Sequence, residues 1–122
     1  MKKLICGNGN TYEVHDETVC CPSGSANVRN YFEIYMPEEA MTFDQFEALC
    51  KNEEVMGTLR LQSMQGDEML ALSHYTVPAE IAKKRVALYD NQTGRPTEEM
   101  RLYARMEQLT YTEQKLAELG LM

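Results

Sequence analysis

The sequence predicts an α+β fold: a small, mostly antiparallel sheet of about five strands, one inserted helix and a helical C-terminal segment. Three observations carry that expectation. Asn30 to Met36 alternates, with Phe32, Ile34 and Met36 on one face and Tyr31, Glu33 and Tyr35 on the other. Thr42 and Gln45 spell a capping box ahead of an apolar stripe at helical spacing. Beyond Val77-Pro78 the alternation gives way to good helix formers.

The elements follow in order. Leu4-Ile5-Cys6 and Thr11 to Val14 flank Gly7-Asn8-Gly9-Asn10, and Asn-Gly between short apolar runs marks a hairpin because both turn residues tolerate positive φ. Val19-Cys20-Cys21 is expected to extend that sheet, before a loop at Pro22-Ser23-Gly24-Ser25. After the Asn30–Met36 strand, Pro37 to Ala40 breaks the chain. Thr42 then caps a helix whose stripe is Phe43, Phe46, Leu49 and Cys50, with Met41 and Phe46 as a hydrophobic staple. Thr58 to Gln62 places Leu59 and Leu61 inward. Gln65-Gly66-Asp67 turns the chain, and Glu68 to Tyr75 returns with Leu70 and Leu72 on one face.

Residues 1–76 are thus expected to form the sheet domain and 77–122 a helical segment. Pro78 suits a first helical position, Glu80 the positive end, and Ala82, Val86 and Tyr89 share a face, although Val86 to Tyr89 also suits a strand. A second helix is expected from Thr97, with the stripe Leu102, Met106 and Leu109. Thr110 and Glu113 form another capping box, and a last helix with Leu116 and Leu119 stops at Gly120. One unbroken helix from Thr97 to Leu119 is the alternative.

Composition narrows the function. Nineteen acids against twelve bases give a net charge of −7 over 122 residues. Between residues 13 and 68 twelve acids face only Arg29, Lys51 and Arg60, while acids and bases balance from Glu80 to Glu118. The first half should repel phosphate backbones, so direct nucleic-acid binding is not expected. No apolar run approaches the ~18–20 residues of a membrane span. The opening apolar run, Leu4-Ile5-Cys6, is short of the ~7–15 residues of a signal-peptide core, so a cytoplasmic location is expected.

Little chemistry is written in the chain. Gly7-Asn8-Gly9 lacks the third glycine and following helix of a dinucleotide site. Cys6, His15, Cys20 and Cys21 could be gathered as a zinc or thiol site, but no Cys-x2–4-Cys pair lets two thiolates converge, and reduced buried cysteines are the default. His15-Asp16-Glu17 and His74 read as loop and strand residues. No catalytic residue, metal or cofactor is therefore expected, and the protein should not be an enzyme. Nine methionines and seven tyrosines suit adaptable contact surfaces.

The Leu-Ile-Cys-Gly-x-Gly-x-Thr-Tyr-Glu-Val hairpin, the following strand, the Met41 to Leu49 helix and the Leu70 to Tyr75 strand ending in Tyr75-Thr76 resemble small prophage-encoded proteins of gut Gram-positive bacteria, found near tail or baseplate genes. The likeness covers residues 3–76. Those relatives continue with another strand and a Leu-rich tail helix, whereas Pro78 to Tyr89 reads here as a lysine-rich helix. The resemblance implies assembly or interaction, with no catalytic residues to carry over. The expected function is a non-enzymatic phage protein, a structural or assembly component that binds a phage structural protein and can form a homo-oligomer. Its partner-binding residues would be Leu102, Met106, Leu109, Leu116 and Leu119 on the C-terminal helices. The alternative is an acidic, anti-CRISPR-like inhibitor of a host defence nuclease, with Glu38, Glu39, Glu53 and Glu54 imitating a nucleic-acid backbone.

Overall fold

The computed structural model describes residues 1–21, 29–89 and 92–120. The expected α+β class holds, with two four-stranded antiparallel sheets rather than one sheet of about five strands. The Asn-Gly hairpin forms as expected: β1 (Lys2–Ile5) pairs with β2 (Thr11–Val14), and Gly9 takes φ 86° in the turn.

The turn after β2 moves the chain into the other sheet. His15 N–H donates to Tyr35 O at 2.7 Å, and Tyr35 N–H donates to the buried Thr18 hydroxyl at 3.0 Å. A threonine side chain thereby stands in for one rung of a β ladder, satisfying a backbone donor that would otherwise be orphaned. The next strand, β3 (Val19–Cys21), accordingly pairs with β4 (Tyr31–Pro37) and does not extend the first hairpin. The expected loop at 22–25 lies outside the described residues.

Strand β4 keeps its predicted faces, with Phe32, Ile34 and Met36 buried. A 3-10 turn over Glu38–Ala40 leads to α1 (Phe43–Cys50), where the Thr42–Gln45 capping box is complete in both directions. Phe46 and Cys50 reach the core, and Phe43 and Leu49 pack beside them. Asn52 caps the short α2 (Glu53–Met56). Gly7 N–H donates to Val55 O at 2.9 Å, and the close approach favours glycine because an added Cβ would sit 2.3 Å from Glu54 O.

Strands β5 (Thr58–Ser63) and β6 (Glu68–Ser73) form the second predicted hairpin, with Leu59 and Leu61 inward. The first sheet runs β2-β1-β5-β6.

The last third departs most from expectation. Residues 77–89 and 97–107 are not helices but most of a long hairpin, β7 (Val77–Tyr89) and β8 (Pro96–Glu107), so 77–122 is no helical segment. Strand β8 sits between β4 and β7, and the second sheet runs β3-β4-β8-β7. Leu102, Ala104 and Met106 point into the core against β4, opposite Met36, Ile34 and Phe32. Period two, not 3.6, is the one that buries them. Only the last helix forms as expected: α3 (Tyr111–Glu118), with Thr110 and Glu113 as a complete capping box. It buries no residue and is held by a two-pronged Arg29–Glu113 ion pair, whose Nη2–Oε2 arm is 2.9 Å. No described helix is long and apolar enough to cross a membrane.

Leu4, Val14, Phe32, Ile34, Met36, Phe46, Leu59, Leu61, Leu102 and Met106 share one apolar core drawn from both sheets and α1. Pairing stops at Pro37↔Arg101 on β4, while β7 and β8 continue to Tyr89↔Pro96. Five residue pairs, Arg85↔Met100 to Tyr89↔Pro96, therefore project past the sheet as a two-stranded arm.

Candidate functional site

Because side chains alternate along a strand, the register that buries Phe32, Ile34 and Met36 turns Tyr31, Glu33 and Tyr35 outward. The same register sets Arg101, Tyr103 and Arg105 of β8 beside them, with Tyr35 opposite Tyr103 and Glu33 opposite Arg105. Strand β7 adds Lys84 opposite Arg101 and Glu80 opposite Arg105. On the outer face of the second sheet Tyr31, Glu33, Tyr35, Lys84 and Arg105 are thus half-buried and Glu80 exposed, around Tyr103 and Arg101, which are only 2% and 4% exposed.

Its geometry is tightly knit. The Tyr35 and Tyr103 rings lie 5.0 Å apart, centroid to centroid. Lys84 Nζ stands 3.7 Å over the Tyr103 ring and 3.5 Å from Glu80, and the Arg105 guanidinium stacks 3.8 Å from the Tyr31 ring. Such cation–π contacts contribute about 0.5–2 kcal/mol each, more as they are desolvated. The Tyr103 hydroxyl donates to Glu33 Oε2 at 2.5 Å. Burial pushes that hydroxyl's pKa well above its ordinary value, with the Glu33 hydrogen bond and charge adding to it; burial also raises Tyr35. Both phenols stay protonated, and that of Tyr103 donates.

Arg101 underlies the face, its side chain only 5% exposed. Its Nε donates to Glu99 Oε2 at 2.9 Å. Its Nη1 lies 3.0 Å from Glu17 Oε2 as an ion pair that lacks hydrogen-bond alignment. The acids are half in water, so the pair gains attraction while only the cation is fully desolvated. This pins Glu17, and with it the turn after β2, to β8.

Tyr and Arg are the residue types that anchor protein contacts, Tyr by large area over few rotamers and Arg by its planar hydrogen-bonding fork. Tyr31, Tyr35, Lys84 and Arg105, held in one arrangement by the buried Tyr103 and Arg101, present a surface with little entropy left to lose. The arrangement suits recognition and holds no nucleophile–base pair.

The sequence-predicted partner-binding residues are dispersed. Leu102 and Met106 are fully buried core residues, which corrects their assignment to a contact stripe: they point away from any partner. Leu109 lies at the foot of α3, beside a hollow of about 390 Å³ that Arg29, Glu53 and Ala117 also line. Leu116 on α3 and Leu119 at its C-cap are exposed, Leu119 at 71%. Glu38 and Glu39 sit in the 3-10 turn before α1, and Glu53 and Glu54 in the first turn of α2 after it. All four are exposed and make no ion pair among the described residues.

Among the described residues no three His, Cys, Asp or Glu side chains gather at metal-binding distance. Cys6 is buried at the end of β1, while Cys20 Sγ meets the Tyr75 hydroxyl at 3.4 Å. The sequence reading missed Arg101, Tyr103 and Arg105; the outward face Tyr31-Glu33-Tyr35 was the available signal, lacking only the strand that completes it. In comparisons with known proteins, no family model, no curated protein and no solved structure matches this chain.

Proposed function

We propose that this protein is a non-enzymatic prophage component that acts by holding a virion structural protein, and that the outer face of the second sheet is the surface it uses. The observation that carries the reading is the cluster of half-buried Tyr31, Tyr35, Lys84 and Arg105, held in place by the buried Tyr103 and Arg101 beneath them. The prophage context comes from the resemblance of residues 3–76, and the location that goes with it is the virion or the cytoplasm of the lysogen.

The test compares capture from prophage-induced cells by the wild-type protein and by a Tyr31→Ser, Arg105→Glu variant. Anchor residues of this kind are worth about 2 kcal/mol or more, so recovery of virion proteins should fall more than about tenfold. Equal recovery by the variant, or a catch without virion proteins, refutes the proposal.

A second reading draws support from Glu38, Glu39, Glu53 and Glu54. These four exposed, unneutralised acids flank α1, which spans about 12 Å. A surface of that kind would block a host defence nuclease by occupying its phosphate groove. Replacing all four by Lys should then abolish inhibition and its steep salt dependence. Unchanged potency removes this reading.

A further inference from the structure

We propose that the apolar groove between edge strands β3 and β6 binds a fatty acid, its chain lying on Leu61, Met69 and Leu70 and its carboxylate meeting Lys2. The inference goes beyond the proposed function, because the groove shares no residue with the Tyr31–Arg105 face.

Strand β3 ends the second sheet and β6 ends the first, and no described strand closes the gap between them. A groove of about 360 Å³ lies there, with Leu61, Met69 and Leu70 from the first sheet and Val19 and Cys20 from the second as its main walls. Leu70 pairs with Leu61 on the inward side, while Met69 is the extra residue where the β5–β6 register shifts. Met69 is 53% exposed and Val19 44%, so apolar surface stands open to water at this edge. No aromatic ring lines the groove, which suits a flexible aliphatic chain rather than a flat ligand.

One cation belongs to this apolar setting. Lys2 lies opposite Val14 and two residues from Leu4, both 0% exposed, so its stem starts on the core-facing side of the first sheet. Lys2 and Thr18 complete the groove lining, and the lysine Nζ donates to Asp16 O at 2.9 Å and Thr18 O at 3.5 Å. Those bonds fix the ammonium and leave one of its three donors over. Both acceptors are neutral carbonyls. No carboxylate lies within ion-pair distance of Lys2 among the described residues; that of Asp16 is 70% exposed and engaged by the Met1 amino group. Lys2 sits beside Ser63, two residues or about 7 Å along β5 from Leu61, so the charge marks one end of the apolar surface. A trough that ends in a fixed, unneutralised cation complements a chain that ends in a carboxylate. The head group gains a charge-assisted hydrogen bond without displacing a protein acid, and the chain covers Met69 and Val19.

The experiment titrates the full chain with dodecanoate, below its micelle concentration, and follows methyl signals by NMR. The methyls of Val19, Leu61, Met69 and Leu70 should shift, and those of Met36 and Met56, in the core, should not. A methylene withdrawn from water is worth about fourfold in affinity, so decanoate should bind about tenfold more weakly in this open groove. Dodecyltrimethylammonium, with the same chain and the opposite charge, should also bind at least about tenfold more weakly. Lys2→Met should erase that preference between head groups, and Lys2→Arg should keep it. Met69→Glu, outside the core, should abolish dodecanoate binding. The proposal is overturned if the groove methyls do not move at about 1 mM dodecanoate, if the wild type binds both head groups alike, or if Met69→Glu binds normally. Self-association of the wild-type chain that Met69→Glu removes would make a second copy the occupant, and overturns it likewise.

Discussion

Leu102→Ala distinguishes a buried strand from an exposed helical stripe by a free energy large enough to measure. Leu102 is 0% exposed on β8, a strand flanked on both sides, and sits opposite Met36 in the heart of the core. Truncating a leucine so enclosed removes its transfer free energy and leaves a cavity that flanking strands cannot close. The cost should be about 3 kcal/mol, within the ~2–5 kcal/mol range of such changes. A chain of this size is stabilised by roughly 5–15 kcal/mol, so the variant folds but is visibly weakened. With a urea m-value of about 1.5 kcal/mol/M, the midpoint should fall by about 2 M. Leu116→Ala on α3, in contrast, removes a side chain from a helix that buries nothing and should stay within about 0.5 kcal/mol. Equal, small losses for the two variants, with Leu102→Ala below about 1 kcal/mol, would refute the strand assignment.

Three further outcomes are expected. Gly7→Ala should destabilise by about 1–3 kcal/mol in urea unfolding, since its Cβ would collide with the Glu54 carbonyl; a neutral effect would show that α2 can retreat. Burial pushes the Cys6 and Cys50 thiols up to about 11 and about 12, so in the folded protein at pH about 8 both should resist alkylation, which mass spectrometry would read site by site. The Arg29 guanidinium, helped by the Thr110 N–H, holds Glu113 down to about 2 from 4.5. A depressed carboxylate stabilises above its unfolded pKa, so the docking of α3 should be complete above pH about 4.5 and be lost as pH falls towards 2. Amide exchange along α3 should follow that window in wild type and not in Arg29→Ala; identical profiles would discount the ion pair.

How much was legible depended on whether local signals had a rival. Thr42 with Gln45, and Thr110 with Glu113, satisfy backbone donors within one turn, so the helix starts could be read without knowing the fold. Asn8-Gly9 and the alternation of Tyr31 to Met36 are equally local. Strands β7 and β8 misled because Leu102 and Met106, four apart, satisfy a helical stripe and a period of two alike. Ala104 between them supported the strand, while the surrounding Glu, Lys, Arg and Ala favour helix by intrinsic propensity. In β7 the edge position admits Lys83 and Arg85 on the core-facing side, which erases alternation. The tyrosine face was half visible from β4 alone; Arg101, Tyr103 and Arg105 reach it only through a pairing between distant parts of the chain.

That pairing also governs the order of events during synthesis. Strand β4 is complete by Pro37, yet the strand that covers its other edge is complete only at Glu107. A nascent chain can close its two short hairpins as they emerge from the ribosome, but the second sheet must wait for Glu107. Until then Phe32, Ile34 and Met36 stay without their lid, so the second sheet should close after the first.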